Sequence, residues 1–408
     1  MSGQTITFFG NFGTQNLGNE YTLKAILENL RKHLPEARFK CICTDPEDAA
    51  VRHRIPAVLM SYRYGKAFRS SGTRSGTLPR LLRRVLVRLP LELMEWLKAF
   101  RALQGTRMLV MTGTGMLGDF GIGPLDLHYE ILKWSMLAKL RRAKLLFVSV
   151  GAGPIADPLS RWIVKRAIAL ADYRSYRDAF SKDYLARIGF DTRQDSVYPD
   201  LAFSLDPQGR GPSERDGNGR VVGVGLMDYY GSRSTSGRGE QVYRRYVEKM
   251  TEFVEWLLDR GYVVHLLIGD LAYDTRVRQD VQRRLQERNP ARANARPVEP
   301  PISSPEDLVA QLARTDVVVA TRFHNILLAL MLEKPVVALS YHEKIASLMR
   351  GVGLGEFYQD VDGLDVQKLV DQFTSLERNA AAATSILGRK REEYRRALDE
   401  QYAAICTI

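Results

Sequence analysis

Short apolar runs alternate with stretches of helical periodicity along nearly the whole chain. In the first half, strand-like runs fall at residues 5–9, 38–44, 108–111, 144–150, 174–176 and 196–198, and helical patterns at 20–32, 125–140, 159–170 and 179–188. The alternation restarts at residue 220. Strands are expected at 220–226, 263–268, 317–320 and 335–340, helices at 241–260, 275–287, 305–312 and 325–332, and a charged terminal helix at 390–400. Alternating strands and helices imply parallel sheets flanked by helices, an α/β fold. Between the two series lies a polar, glycine-rich stretch, 206–219, which reads as a linker between units at 1–205 and 220–408. Two such units place a ligand cleft between them, at the carboxyl ends of the strands.

With 408 residues and 45% hydrophobic content, the chain can build full cores, which excludes a mainly disordered protein. No apolar run reaches the roughly 18 residues of a membrane span, and MSGQTITFFGNFG lacks the pattern of a signal peptide. Three cysteines argue for a reducing compartment, so a cytoplasmic location is expected. Cys41 and Cys43 read as strand residues, and no metal-ligand spacing is recognisable. The net charge of +12 is concentrated: residues 63–107 carry eleven Lys or Arg against Glu92 and Glu95. A basic amphipathic insertion at about 61–107, interrupted at Pro90, suits either peripheral contact with an anionic membrane or an ordinary solvated helix pair. Arg80, Arg83, Arg84 and Arg88 would make the membrane contact. No helix-turn-helix, zinc-finger or RRM signature accompanies the charge, so nucleic acid is not an expected partner.

The densest chemistry is Ala320-Thr321-Arg322-Phe323-His324-Asn325, between an apolar strand and a helix too apolar to be exposed. Arg322 offers a planar, permanently charged fork to phosphate or carboxylate, and His324 can move a proton near neutral pH. A purely structural pair capping a buried helix is the alternative. Three glycine turns follow strands in the first half. The first contains Gly13, Asn16, Asn19 and Glu20, the second Gly113 and Gly115, the third Gly151 and Gly153. Glycines let the backbone approach a ligand, and a following helix N-terminus attracts anions. Gly113-Thr-Gly115-Met-Leu-Gly118 matches the dinucleotide spacing, but Asp119–Pro124 delays the helix and no acidic residue ends the next strand, which argues against NAD. No turn ends as a P-loop does. Arg177, Tyr341 and Lys344 also stand at strand ends. Arg177 and Lys344, with Arg322 and His324, suit a small, multiply charged anion.

In their order, GNFGTQNLGNE, TGTGML, VSVGAGP, SYRDAFS, PDLAF and TRFHNILLALMLEKPVVALSYHEK resemble the polysaccharide pyruvyltransferase family from Gly10 to about Lys344. The resemblance implies two Rossmann-like domains in a glycosyltransferase-B-like arrangement. It also implies phosphoenolpyruvate as donor, a sugar hydroxyl pair of a glycan or lipid-linked precursor as acceptor, and a pyruvate ketal plus phosphate as products. The N-terminal domain would take the acceptor and the C-terminal one the donor. Asn19 departs from the family's usual Asp.

On this reading His324 is the general acid that protonates C3 of the enol, Arg322 and Arg177 hold the donor's phosphate and carboxylate, and Lys344 helps neutralise the leaving phosphate. Tyr341 and the glycine-turn residues complete substrate binding, with no metal or cofactor required. A glycosyltransferase using a nucleotide sugar is the rival enzyme. A non-catalytic glycan-binding or membrane-surface protein would keep the basic segment without needing the Arg322–His324 turn.

Overall fold

The computed structural model describes residues 3–61, 89–118, 122–206, 220–231, 238–290, 297–298 and 301–408. Residues 207–219 of the linker expected at 206–219, and Arg80, Arg83, Arg84 and Arg88 of the basic insertion, lie outside the described residues. The chain divides into two compact units. One comprises Met1–Thr14, Thr22–Leu201 and Leu398–Ile408, the other Gln15–Tyr21 and Ala202–Ala397. Two short segments therefore group with the unit opposite to their place in the sequence.

In the first unit the strands are β1 (Thr5–Phe9), β2 (Arg38–Cys43), β3 (Ala57–Leu59), β4 (Thr106–Met111), β5 (Lys144–Val150), β6 (Tyr173–Tyr176) and β7 (Ser196–Val197). They form one parallel sheet in the order β3-β2-β1-β4-β5-β6-β7. The helices are α1 (Leu17–His33), α2 (Pro46–His53), α3 (Leu89–Ala102), α4 (Tyr129–Leu140), α5 (Pro158–Ala169) and α6 (Ala179–Arg187). The core gathers Phe9, Leu109, Trp134, Phe147 and Ile168, all but fully buried. Strand order reverses between β1 and β4, the place where such sheets bind ligands.

The second unit holds β8 (Val221–Leu226), β9 (Val263–Ile268), β10 (Val317–Ala320), β11 (Val336–Ser340) and β12 (Tyr358–Asp360) in the parallel order β12-β11-β10-β8-β9. Its helices are α7 (Gly239–Asp259), α8 (Asp274–Arg288), α9 (Pro305–Ala313), α10 (Phe323–Met331), α11 (Glu343–Gly351), α12 (Val366–Arg378) and α13 (Ala380–Cys406). Here the order reverses between β8 and β10. β10 is buried at every residue because it pairs with a strand on each side and lies under the apolar α10.

Several expectations change. The helix expected from residue 20 begins at Leu17, because the Asn16 side chain accepts the amide of Asn19 at 3.3 Å. The helix expected over 125–140 breaks into a π-turn at Pro124–His128 and α4, since Asp126 departs from helical dihedrals. Pro90 does not interrupt α3 but sits in its first turn, where a missing amide costs nothing. The terminal helix is longer than expected and ends with the first unit, where fully buried Gln401 donates to Ser175 Oγ at 2.7 Å and accepts from Ser149 Oγ at 3.0 Å. Among the described residues no helix is long and apolar enough to cross a membrane.

Candidate active site

In the second unit the turns after β8, β9 and β10 converge at the reversal of strand order. Arg322 follows β10 by two residues. Thr321, fully buried, donates its amide to Gly225 O at 3.0 Å and shares a hydroxyl hydrogen bond of 2.8 Å with Tyr246. This fixes the start of the turn. The Arg322 backbone is extended (φ −68°, ψ 131°) and caps α10, so His324 falls in that helix's first turn.

The guanidinium of Arg322 is held by Asp274, the first residue of α8. Nε and Nη2 donate to its carboxylate at 2.9 and 2.6 Å, and Nη1 makes no hydrogen bond to a described residue. Asp274 is fully buried and also accepts the amides of Gly269, Asp270 and Asp228 at 2.9–3.1 Å. One carboxylate therefore ties the turns after β8 and β9 to one arginine. Burial opposes the charge on Arg322, but Asp274 outweighs it and the guanidinium pKa is raised. Burial raises the carboxyl pKa of Asp270 against the pull of Arg322, and burial likewise raises that of Asp228. The charge on Arg322 is thus compensated by Asp274, which also orients its fork.

His324 lies against Gly18. A Cβ at that position would overlap the imidazole ring, so only glycine admits His324 to the first turn of α1. Backbone bonds from Leu17 N to Gly269 O and from Leu271 N to Gln15 O, both 3.2 Å, pin this turn to the end of β9. Asn16 caps it and reaches Asp270 at 3.4 Å, Asn19 sits at its third position, and Glu20 is buried within it. His324 thus stands between the N-terminal turns of α1 and α10, the positive ends of two helix dipoles. Tyr341 and Phe323 flank Lys344, whose ammonium lies 5.2 and 5.4 Å from their ring centroids. His342 caps α11, its Nδ1 accepting the amide of Lys344 at 3.1 Å.

The remaining sequence-derived residues gather in the first unit. Arg177 is buried and pairs with Asp200 at 3.4 Å and Asp178 at 3.6 Å, so its charge too is compensated. Its guanidinium packs on Gly151 and Gly115, where an added Cβ would come within 2.6 and 3.4 Å. Gly113 backs onto Ser149 O, Gly153 onto the Tyr184 ring, and Gly13 onto Asp45. Asp274 and Asp270 escaped the sequence reading, in which Gly18 stood only as one glycine of the first turn. The acid at the start of α8 was legible as a first-turn carboxylate, but its pairing with Arg322, 48 residues on, was not. Among the described residues no group of three or more His, Cys, Asp or Glu side chains could hold a metal ion.

Solved structures resemble this fold over nearly its whole length. S. aureus MnaA with UDP matches with a TM-score of 0.59 and 12% identity, covering 94% of this chain and 90% of that one. The Anabaena protein Alr3699/HepE with UDP and glucose matches at 0.59 and 14%, covering 99% of both. UDP-GlcNAc 2-epimerase from Methanocaldococcus jannaschii matches at 0.58 and 10%, covering 91% and 92%. At these identities the likeness is one of fold, and it defines a glycosyltransferase-B-like protein of two Rossmann-like units. No curated protein matches the chain. The family described as polysaccharide pyruvyl transferase matches residues 16–343, and the chain belongs to that family of transferases.

Proposed function

We propose that the protein transfers the enolpyruvyl group of phosphoenolpyruvate to a pair of sugar hydroxyls on a glycan or glycan precursor, forming a pyruvate ketal and releasing phosphate. The observation that carries this reading is the pairing of an oriented Arg322 edge with His324, seated by Gly18 between two helix N-termini. The donor is an enol ester with a carboxylate and a phosphate. The Nη1 edge of Arg322 would hold one of its anionic groups, with Lys344 contributing charge. His324 would donate a proton to C3, leaving C2 electron-poor. One sugar hydroxyl adds to C2 and returns its proton to the imidazole. The second hydroxyl then replaces phosphate at C2, and its proton leaves with the phosphate. Atoms and charge balance without a cofactor.

A ligand bound only by the folded state stabilises it by about 2.7 kcal/mol at a hundredfold excess over Kd. Phosphoenolpyruvate is therefore expected to raise the melting temperature by several degrees, and UDP- or GDP-sugars to have no comparable effect. Stabilisation by a nucleotide sugar alone would move the protein to the glycosyltransferase reading.

The same reading extends to an anionic membrane carrying the acceptor. It is supported by the charge of 63–107 and by Leu91, Leu93, Met94 and Leu97, all exposed on α3. Near-surface basic residues contribute about 1 kcal/mol each, so replacing Arg80, Arg83, Arg84 and Arg88 by Gln should abolish sedimentation with anionic vesicles. Absence of binding by the unaltered protein would remove the membrane role.

A further inference from the structure

A second place in the C-terminal unit has the makings of a binding site. An open cavity of about 150 Å³ lies between α7 and the chain leaving β12. Val242, Arg245, Tyr246 and Lys249 line it from one stripe of α7, at the spacing that aligns side chains on a helix, and Val361 and Asp362 face them. β12 runs parallel to β10, so its exit lies at the sheet edge that carries Arg322. Tyr246 links the two places directly, its hydroxyl bonding Thr321 and accepting the Met227 amide. Tyr246 is 3% exposed, so its ring forms the floor of the cavity.

The polar groups are oppositely charged. Lys249 donates to Leu364 O, which anchors the ammonium and leaves it further N–H donors. Arg245 is exposed and makes no ion pair with a described residue. The Asp362 carboxylate accepts the Tyr229 hydroxyl on Oδ1 at 2.8 Å, leaving Oδ2 to accept from a ligand. A bare anion would be repelled by Asp362, and a neutral sugar would leave both cations unused. A sugar bearing one acidic group satisfies all of them: the acid meets Arg245 and Lys249, a hydroxyl donates to Asp362, and the ring's C–H face lies on Tyr246 and the valines. The volume equals roughly five water molecules, enough for the charged end of one monosaccharide.

We propose that this cavity binds an anionic glycosyl unit, a uronate or a phosphorylated sugar, of the acceptor glycan. The acceptor role rests on the pyruvyltransferase reading; the binding of an acidic sugar does not. Ligand-observed NMR on the full chain tests it with glucuronic acid, glucose 6-phosphate, glucose and inorganic phosphate. One or both acidic sugars should bind well ahead of glucose, and which of them binds identifies the acid. Arg245→Gln should weaken that binding about tenfold, the loss expected for one hydrogen bond between charged groups. Asp362→Asn should weaken sugar binding more than phosphate binding. Equal binding of glucose, indifference to Arg245→Gln, or phosphate binding as tightly as glucose 6-phosphate would overturn the proposal. Stabilisation by phosphoenolpyruvate should persist in Arg245→Gln. Its absence from the unaltered protein would bring down the donor reading while leaving the sugar measurements to stand on their own.

Discussion

His324→Ala is expected to keep most of its affinity for phosphoenolpyruvate while losing turnover by about 10² to 10⁴, the range typical of a general acid–base group. Binding survives because the Arg322 fork is oriented by Asp274 rather than by the imidazole. Turnover falls because a proton must reach C3 before a hydroxyl can add at C2. Gly18→Ala should reproduce the loss in part with the histidine still present, since a methyl group there displaces the ring from its seat. Single-turnover kinetics alongside donor titration separates the two quantities. A folded His324→Ala protein with near-normal turnover would show that the histidine only packs against α1, and the acid would have to be sought elsewhere.

Asp274→Asn should have the larger effect on stability. Breaking a buried ion pair by removing one partner costs about 3–5 kcal/mol, because the surviving charge is left uncompensated. For a unit of this size that corresponds to a fall in melting temperature on the order of 10 °C. Donor affinity should fall as well, since Arg322 loses the contact that aims its Nη1 edge. A stability change alone would not separate the two roles, so the double variant Asp274→Leu, Arg322→Met is the control. Replacing both charges removes the stranded guanidinium and should recover part of the melting temperature, though not all, because the amides of Gly269, Asp270 and Asp228 lose their acceptor. It should not recover phosphoenolpyruvate binding. Recovery of both would mean that Arg322 is structural.

The α/β alternation and most strands were legible because buried parallel strands are short, apolar and bounded by turns. β10 and α10 announce themselves in this way, and with them the Arg322–His324 turn. Short or half-polar elements were not. β3 and β12 are three residues each, too short for any pattern to accumulate. The helix α2 was overlooked although Asp45-Pro46-Glu47-Asp48 spells out a cap, a proline at the first position and an acidic first turn. For the site, the reading found the charged residues at strand ends but not what restrains them. Asp200 was noted only for its place in PDLAF, and neither it nor Asp274 signals in sequence which arginine it will meet. Likewise, Gly18 reads as one more glycine in a loop until the imidazole that occupies its missing side chain is known. Pairings across many residues are products of the fold, and periodicity carries no trace of them.

The grouping of Leu398–Ile408 with the first unit bears on how the protein is made. Domains tend to fold as they leave the ribosome, amino-terminal first, at about 5–20 residues per second. The first sheet is synthesised by residue 197, yet Gln401, which fills the hydrogen-bonding positions of buried Ser149 and Ser175, emerges roughly 10–40 s later at that rate. During that interval the Ser149 hydroxyl waits for its acceptor, while Ser175 Oγ already bonds the Ser149 amide and Phe147 O within the sheet. The amino-terminal unit, although begun first, reaches its final packing only after the carboxyl-terminal unit has been translated.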